Sequence, residues 1–171
     1  MAKTSYALAL GSNRRSRYGS PAATLRAALE ALSELGEVEA ASRIRATAAV
    51  GPAGRSFANA AAVLTTKLGP AELLAAVKQI ERSFGRRPGR RWGARVLDLD
   101  ILLWSGGAWA EGALTIPHPG MRRRLFVLDP LAEIAPDWRD PLSHASIRHL
   151  RHRLARPRAV DRAIDRGGAR S

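Results

Sequence analysis

The N-terminal part of the chain combines a short apolar run with a longer periodic one. Tyr6 to Leu10 is compact and apolar and is closed by Gly11-Ser12-Asn13, which predicts a buried strand that ends in a turn. Ser20-Pro21 supplies an N-cap hydroxyl followed by proline at the first helical position. Leucines then recur at helical spacing before Gly36, so the segment is predicted to form an amphipathic helix. These leucines are Leu25, Leu29 and Leu32.

The next segments predict two antiparallel strands and a second helix. Val38 to Thr47 and Phe57 to Thr66 both read as strands, and a loop that contains Gly and Pro separates them. Gly69-Pro70 starts the helix and Gly85 ends it. The apolar stripe of this helix consists of Leu73, Val77, Ile80 and Phe84, and Lys78 and Glu81 lie next to it.

A cationic segment and one more strand complete the order of elements. Gly85 to Arg95 is rich in Gly, Arg and Pro, which predicts a mobile loop, and Val96 to Trp104 predicts the strand that follows. The order strand, helix, strand, strand, helix, strand is a split βαβ pattern. We therefore predict an α+β fold with a ferredoxin-like βαββαβ core, an antiparallel sheet flanked by helices and a C-terminal extension.

The C-terminal extension shows weaker patterns. We predict a weak strand near Trp109, a turn through Met121 to Arg124, an apolar segment from Phe126 to Leu128 and a helix from Ile147 to about Ala155. No linker marks a second domain. We expect residues 1–156 to form a single domain and residues 157–171 to form a basic, flexible tail.

Composition narrows the class of protein. The chain has 171 residues and no cysteine, which excludes disulfide scaffolds, thiolate nucleophiles, Cys-ligated zinc and iron–sulfur clusters. Its apolar runs are too short to cross a bilayer, so we expect a cytoplasmic protein without a membrane partner. With 28 Lys plus Arg against 15 Asp plus Glu, the net charge of +13 favours an anionic ligand, a nucleotide or a nucleic acid.

Two carboxylates interrupt the last of these strands. Because side chains alternate along a strand, Asp98 and Asp100 point to the same face, roughly 7 Å apart, while Leu99 faces the core. Two like charges on a half-buried sheet are unfavourable unless cations or hydrogen-bond donors compensate them. Hard oxygen ligands of this kind indicate Mg²⁺, which completes its coordination with water and substrate phosphates. The alternative interpretation is a solvated face.

Arginines precede this pair and a histidine follows it. A Mg²⁺–polyphosphate complex would find its metal ligands and its counter-charges together here. His118 lies between two prolines that fix its backbone, and the arginine triplet 122–124 follows at once, which favours a phosphate near His118. The arginines that precede the strand are Arg86, Arg87, Arg90, Arg91 and Arg95.

Aromatic residues are scarce, at 5% of the chain, so their positions are informative. Core packing is the simple interpretation of Phe57 and Phe126, whereas Trp92 in a polar loop favours a ligand-capping role. A planar heterocycle stacked between rings, with the Asn59 amide at its hydrogen-bonding edge, would use all of these residues.

The segment from Arg91 to Leu102, RWGARVLDLDIL, resembles the signature of the 6-hydroxymethyl-7,8-dihydropterin pyrophosphokinase family of the folate pathway. The resemblance covers about residues 6–141. It extends to further motifs in the same order along the chain: Gly11-Ser12-Asn13, Phe57-Ala58-Asn59-Ala60-Ala61, Ile80-Glu81 ahead of Gly85-Arg86, Ile116-Pro117-His118-Pro119 and Leu131-Ala132-Glu133-Ile134-Ala135-Pro136.

The resemblance implies a ferredoxin-like fold and an activity. A pyrophosphoryl group would pass from ATP to the hydroxymethyl oxygen of the dihydropterin, with release of AMP. Asp98 and Asp100 are implied to hold two Mg²⁺ ions, and Arg86 and Arg95 are implied to act in catalysis from a loop that closes over the phosphates. The implied ATP-binding residues are Lys78, Glu81, Arg86, Trp92, Arg95, Ile101, His118 and Arg124.

The resemblance also implies a pterin site and the protein's partners. Two small-molecule substrates, ATP and the pterin, are expected for a monomer that binds no nucleic acid. Some positions depart from the pattern of the family: Arg45 stands where tyrosine is common, and Ala48-Ala49 stand where prolines are common. The implied pterin-binding residues are Thr47, Val50, Phe57, Asn59, Trp92, Asp98 and Phe126.

Three other interpretations fit the sequence less well. A ferredoxin-like sheet can bind RNA through exposed aromatic residues, but two carboxylates on the sheet would repel its phosphates. An Asp-x-Asp nucleotide-sugar transferase would need a larger α/β domain with a parallel sheet. A catalytically silent relative is opposed by the acids and arginines that the chain retains.

Overall fold

The computed structural model describes residues 2–47, 56–85 and 95–157 of the chain. The strands in this part are β1 (Thr4–Ser12), β2 (Glu37–Ala41), β3 (Arg45–Thr47), β4 (Phe57–Thr66), β5 (Asp98–Trp104), β6 (Trp109–Glu111) and β7 (Leu114–Ile116). The helices are α1 (Pro21–Ser33), α2 (Pro70–Ser83), α3 (Leu125–Ile134) and α4 (Ile147–Ala155), with a 3₁₀ turn at Met121–Arg123.

An antiparallel sheet forms the centre of the described residues. Its strands run in the order β2-β4-β1-β5, and the short strand β3 also pairs with β4. The two strands that are adjacent in space to β1 are therefore β4 and β5, although neither follows it directly along the chain. This crossover order is that of a ferredoxin-like sheet and confirms the predicted fold class.

Apolar side chains cover both faces of the sheet. Helices α1 and α2 pack on the face that carries Leu8, Leu10 and Leu99. Helices α3 and α4 pack on the opposite face against Val63 and Leu102. Burial on two sides explains why β1, β4 and β5 read as nearly continuous apolar runs rather than as alternating ones.

The predicted helix starts are confirmed at both α1 and α2. The Ser20 hydroxyl accepts a hydrogen bond from Ala23 N at 3.2 Å, and Pro21 occupies the first turn of α1. At α2, the Glu72 carboxylate accepts a hydrogen bond from Gly69 N at 3.3 Å. These contacts satisfy backbone N–H groups that the helices themselves leave without acceptors.

The prediction of one strand from Val38 to Thr47 was wrong. The structure divides it into β2 and β3, and Ser42 lies between them. The Ser42 hydroxyl accepts from Ala61 N and donates to Arg43 O, each at 2.9 Å. A serine side chain that bonds to the backbone in this way competes with the regular hydrogen bonds between strands. The strand that pairs with β4 is therefore interrupted at Ser42, while β4 itself continues.

The apolar segment from Phe126 to Leu128 belongs to helix α3, which the sequence did not predict. Pro130 inside that helix argues against it locally, because proline removes a backbone donor and restricts the preceding residue. Burial of Val127, Leu128 and Leu131 against the sheet outweighs this local preference. The weak strand near Trp109 is β6, which forms a hairpin with β7.

Two predictions fall wholly or partly outside the described residues. The loop from Gly85 to Arg95 lies outside them at residues 86–94, and the tail does so from residue 158 onward. The single domain over residues 1–156 stays a prediction. Within the described ranges, no helix combines the length and the apolar character that a membrane crossing requires.

Candidate functional site

Strand register brings the polar residues of three strands together at one end of the sheet. Gly11 on β1 lies opposite Asn59 on β4 and Asp98 on β5, and Ala9 lies opposite Asp100. Residues that oppose each other across paired strands project to the same face. Asn59, Asp98 and Asp100 therefore share the face on which α3 packs further along the sheet.

The predicted shared face of Asp98 and Asp100 is confirmed. Asp98 and Asp100 are both partly exposed, and Leu99 between them is buried in the opposite core. The Asp98 Oδ1 atom accepts a hydrogen bond from Arg95 Nη1 at 2.9 Å, and Asp100 Oδ1 lies 3.9 Å from His118 Nε2. The Arg95 guanidinium beside Asp98 reduces the repulsion between the two acids, and Asp100 faces the His118 imidazole.

Arg95 is fixed at the entrance to β5. The hydrogen bond and the negative charge of Asp98 raise the pKa of the Arg95 guanidinium above its ordinary value, so the group stays charged. Its backbone is held by Asn13: the Arg95 N–H donates to Asn13 Oδ1 at 2.5 Å, and the Asn13 N–H donates to Arg95 O at 3.1 Å. Sequence reasoning noted Asn13 only as part of a turn motif and missed this clamp.

Glu81 supports the strand from the α2 side. In the described residues β5 pairs with β1 on one side only, and the Glu81 Oε1 atom accepts a hydrogen bond from Leu99 N at 2.8 Å on the other. Glu81 is 1% exposed, and Lys78 Nζ lies 3.4 Å from its second carboxylate oxygen. The peptide between the two acids is therefore held by a buried carboxylate on the neighbouring helix.

The loop after β7 carries His118 to the same edge. The His118 N–H donates to Leu102 O at 3.0 Å, and the His118 Nδ1 atom accepts from Gly120 N at 3.0 Å. This second bond leaves Nε2 as the atom that faces Asp100. A Cβ at Gly120 would lie 3.1 Å from Arg124 Cζ and 3.3 Å from His118 Cε1, so the missing side chain lets these two groups approach each other.

Of the three consecutive arginines, Arg122 is bound elsewhere. Its side chain forms an ion pair with the fully buried Asp140 at 2.5 Å. Burial alone would raise the pKa of Asp140, but hydrogen bonds from Leu142, Ser143 and Arg122 outweigh it and lower that pKa. Arg124 remains beside His118.

The aromatic side chains at this end of the sheet are open to solvent. Phe57 is 46% exposed and Phe126 is 53% exposed, so the interpretation of these two rings as core residues is wrong. The Arg124 guanidinium lies 5.9 Å from the centroid of the Phe126 ring. Asn59 leans toward Gly11, where a Cβ would lie 3.4 Å from its Oδ1 atom.

The structure describes some of the remaining predicted site residues and not others. Thr47 lies on β3 opposite Phe57 and is exposed. Ile101 is buried in the core on the α1 and α2 side, so its backbone rather than its side chain is available to a ligand. The predictions for Val50, Arg86, Arg87, Arg90, Arg91 and Trp92 lie outside the described residues.

Asp98 and Asp100 fit Mg²⁺ better than a metal ion whose ligands all come from the protein. Across residues 2–47, 56–85 and 95–157, no group of three or more His, Cys, Asp or Glu side chains could enclose an ion. Two partly exposed carboxylates suit a cation that takes one or two protein oxygens and completes its shell with water and phosphate.

Comparisons with known proteins identify the family and the fold of the chain. Paired carboxylates beside arginine and histidine are suited to anionic, metal-complexed ligands, and the sheet order places the chain among ferredoxin-like α+β domains. A model of the family described as 7,8-dihydro-6-hydroxymethylpterin-pyrophosphokinase (HPPK) matches residues 7–136, and the chain belongs to this family.

Two relatives are named 2-amino-4-hydroxy-6-hydroxymethyldihydropteridine pyrophosphokinase. The one from Pseudomonas aeruginosa is 42% identical over 151 residues, which span 86% of this chain and 88% of the relative. The one from Synechocystis is 45% identical over 114 residues, which span 67% of this chain and 58% of the relative. The names of the family and of both relatives describe a pyrophosphokinase that acts on a hydroxymethyl dihydropterin.

Solved structures show the same fold. A crystal structure of wild-type HPPK-DHPS from Plasmodium falciparum with pteroate aligns with 98% of this chain and 46% of that chain, with a TM-score of 0.71 at 15% identity. A second structure of the wild-type protein, with pterin and p-hydroxybenzoate, aligns with a TM-score of 0.69 at 16% identity and covers 99% of this chain and 44% of that one.

Proposed function

We propose that this protein transfers a pyrophosphoryl group from ATP to the hydroxymethyl oxygen of 6-hydroxymethyl-7,8-dihydropterin. The bond between the α-phosphate and the β-phosphate breaks, a bond from the β-phosphorus to the hydroxymethyl oxygen forms, and the products are the pterin diphosphate, AMP and a proton. The observation that carries the proposal is the shared face of Asp98, Asp100 and Asn59, which puts polar groups suited to both substrates at one end of the sheet.

The phosphate side of the site is formed by β5 and the loop after β7. Asp98 and Asp100 would hold two Mg²⁺ ions, which when bound neutralise charge on the triphosphate and polarise the phosphorus that is attacked. Arg95, His118 and Arg124 bind phosphate oxygens and stabilise the charge that moves toward AMP as it leaves. The proposal extends to the other predicted ATP-binding residues, Lys78, Glu81, Arg86, Trp92 and Ile101.

The pterin side is formed by β3, β4 and the start of α3. Phe57 and Phe126 are exposed at this end of the sheet, and rings of this kind bind planar heterocycles by stacking. The Asn59 amide carries both a donor and an acceptor, which suits the mixed hydrogen-bonding edge of a pterin. The other proposed pterin contacts are Thr47, Val50, Trp92 and Asp98.

Positioning accounts for the chemistry that the chain's own residues supply. The site needs to hold the hydroxymethyl oxygen in line with the β-phosphorus and to exclude water, because water would compete as an acceptor. A rigid sheet end that carries both binding sides fixes this alignment. A cytoplasmic location and a monomeric state belong to the same proposal.

The test is formation of AMP by the purified full-length chain with ATP, Mg²⁺ and 6-hydroxymethyl-7,8-dihydropterin, with and without each component. We expect AMP and the pterin diphosphate to appear in equal amounts and only when all three are present. AMP that forms equally well without the pterin, or no turnover from folded protein, would contradict the proposal. The second of these results would indicate a silent relative, and retention on RNA at moderate salt would indicate an RNA-binding module.

A further inference from the structure

Arg45 completes a four-residue patch on the sheet. It lies on β3 opposite Asn59, and Thr47, two residues later on the same strand, lies opposite Phe57. Residues two apart on a strand share a face, and opposed residues on paired strands have Cβ atoms about 5 Å apart. One patch is therefore formed by Arg45, Thr47, Asn59 and Phe57. All of these residues except Arg45 belong to the proposed pterin side.

Among residues 2–47, 56–85 and 95–157, the half-buried Arg45 side chain has no hydrogen-bond or ion-pair partner. Its Nε atom is buried and makes no hydrogen bond to any residue that the structure describes. The described part of the chain also provides no ion pair for it, whereas Arg43, two residues earlier, lies 3.9 Å from the Glu133 carboxylate. A buried donor without an acceptor costs the desolvation of that group, so a ligand that brings an acceptor to this position would be favoured.

The place of Arg45 in the sheet indicates which ligand supplies that acceptor. The row across the strands runs Arg45, Asn59, Gly11, Asp98, so three strand spacings of about 4.8 Å, or roughly 14 Å, separate Arg45 from the carboxylate that would carry the metal. Phosphates gathered around the carboxylates lie at the far end of this row. The heterocycle that rests on Phe57 with its edge toward Asn59 lies at the near end.

We propose that the Arg45 guanidinium donates a hydrogen bond to a carbonyl-oxygen or ring-nitrogen acceptor on the edge of the bound pterin, and so acts with Asn59 as a second specificity-determining residue. This inference rests on the proposed function, because it takes its ligand from it. Arginine suits the task, since its donors lie in one plane and can meet the plane of a ring edge. The Arg45 side chain contributes to binding of the pterin and not to binding of ATP.

The experiment compares binding of the two substrates by the full-length chain and its variants. Calorimetry would measure the Kd of 6-hydroxymethyl-7,8-dihydropterin in the presence of Mg²⁺ and the α,β-methylene analogue of ATP, and separately the Kd of the analogue. For Arg45→Leu we expect the pterin Kd to rise about tenfold, with the analogue Kd within twofold of the wild-type value. Arg45→Lys, which keeps the charge but loses the planar donors, should raise the pterin Kd by a smaller factor.

The Tm of the free protein separates this role of Arg45 from a purely structural one, because loss of a structural contact would lower Tm. Because the unpaired donor is costly in the free protein, the Tm of free Arg45→Leu should equal or exceed that of the wild type. The matched control is Arg43→Leu, which removes the same charge two residues away and should leave both Kd values unchanged.

Several results would overturn the inference. They are a pterin Kd within twofold of the wild-type value in Arg45→Leu or in Arg45→Lys, equal weakening of pterin and analogue binding, and a lowered Tm with unchanged binding. A wild-type chain that binds the analogue but not the pterin would instead defeat the proposed function itself. The failure of the inference and the failure of the function are thus distinguishable.

Discussion

Asn13 and Arg95, which are 82 residues apart in the chain, exchange two hydrogen bonds. The Asn13 side chain accepts from the Arg95 N–H, and its backbone N–H donates to the Arg95 carbonyl. Through these bonds Asn13, the residue after β1, holds Arg95 three residues before β5 begins. Since the Arg95 side chain in turn pairs with Asp98, one asparagine sets the position of a cation and a carboxylate of the candidate site.

Replacement of Asn13 should therefore reduce turnover more than it reduces substrate binding. In Asn13→Ala we expect the fold to persist, with a loss of about 1 kcal/mol in the free energy of unfolding from the missing hydrogen bond, and kcat to fall about tenfold. Steady-state kinetics and urea unfolding measure the two effects. The control is Gln79→Ala, which removes an exposed amide on α2 and should change neither kcat nor the free energy of unfolding. A wild-type kcat in Asn13→Ala would show that the hydrogen bonds between Asn13 and Arg95 are unimportant for turnover.

The carboxylate pair gives the largest expected loss of activity without a loss of fold. Asp100→Asn keeps the shape of the side chain but removes a charge that the phosphate side needs, so turnover with Mg²⁺ should fall about a thousandfold. Because the wild-type protein without ligands holds two like charges on one strand face, Tm should not fall in the variant. Activity assays and thermal unfolding without Mg²⁺ measure both quantities.

The control for this variant is Asp137→Asn, which neutralises an exposed carboxylate paired with Arg148 on the surface and should leave both quantities unchanged. Turnover of Asp100→Asn close to the wild-type rate would remove the metal assignment.

Local patterns predicted most of the sheet and its first two helices. The helix starts at Ser20 and Gly69 and the alternation through Asp98 and Asp100 depend on nearest neighbours in sequence, and the structure confirms them. Helix α3 was missed because Pro130 opposes it locally, whereas contacts with a distant sheet stabilise it.

The supporting contacts of the candidate site were harder to predict for a related reason. The acceptor for Leu99 N comes from Glu81 on α2, and the partner of Arg122 is Asp140, which lies 18 residues away. Charge patterns place arginines and acids near each other in sequence, but they do not state which pairs become buried. Such pairs are set by packing of the completed fold.

The buried pair of Arg122 and Asp140 predicts a specific dependence of stability on pH. The pKa of Asp140 is lowered in the folded protein, so its contribution is fully present above the unfolded pKa of about 4 and is lost as pH falls through the folded value. In Asp140→Asn we expect a loss of about 3 kcal/mol at pH 7, because Arg122 is left without its partner. That loss should begin to shrink as pH falls below about 4, where the unfolded carboxyl binds a proton, and it should disappear as pH falls through the lower pKa of the folded carboxyl.

Urea unfolding of the wild type and of Asp140→Asn at pH 7, 5 and 3.5 would measure this effect. Asp129→Asn, which removes the partner of the exposed Arg151, is the control and should show a small difference at every pH. A stability difference for Asp140→Asn that stays constant over the whole range would show that the ionised carboxylate is not the source of the stabilisation.

Gly120 decides how closely Arg124 and His118 approach. Its backbone φ of −86° is open to any residue, so a substitution there tests space and not backbone strain. A Cβ at this position would lie 3.1 Å from Arg124 Cζ, and the guanidinium would have to move by a few tenths of an ångström or more. Because Arg124 and His118 are proposed phosphate contacts, we expect Gly120→Ala to raise the KM for ATP several-fold, to leave the KM for the pterin unchanged and to preserve Tm.

Gly69→Ala is the matched control, since its Cβ would meet only the flexible end of Glu72 at 3.5 Å. Equal kinetics for Gly120→Ala and Gly69→Ala would show that the approach of Arg124 to His118 has no part in ATP binding.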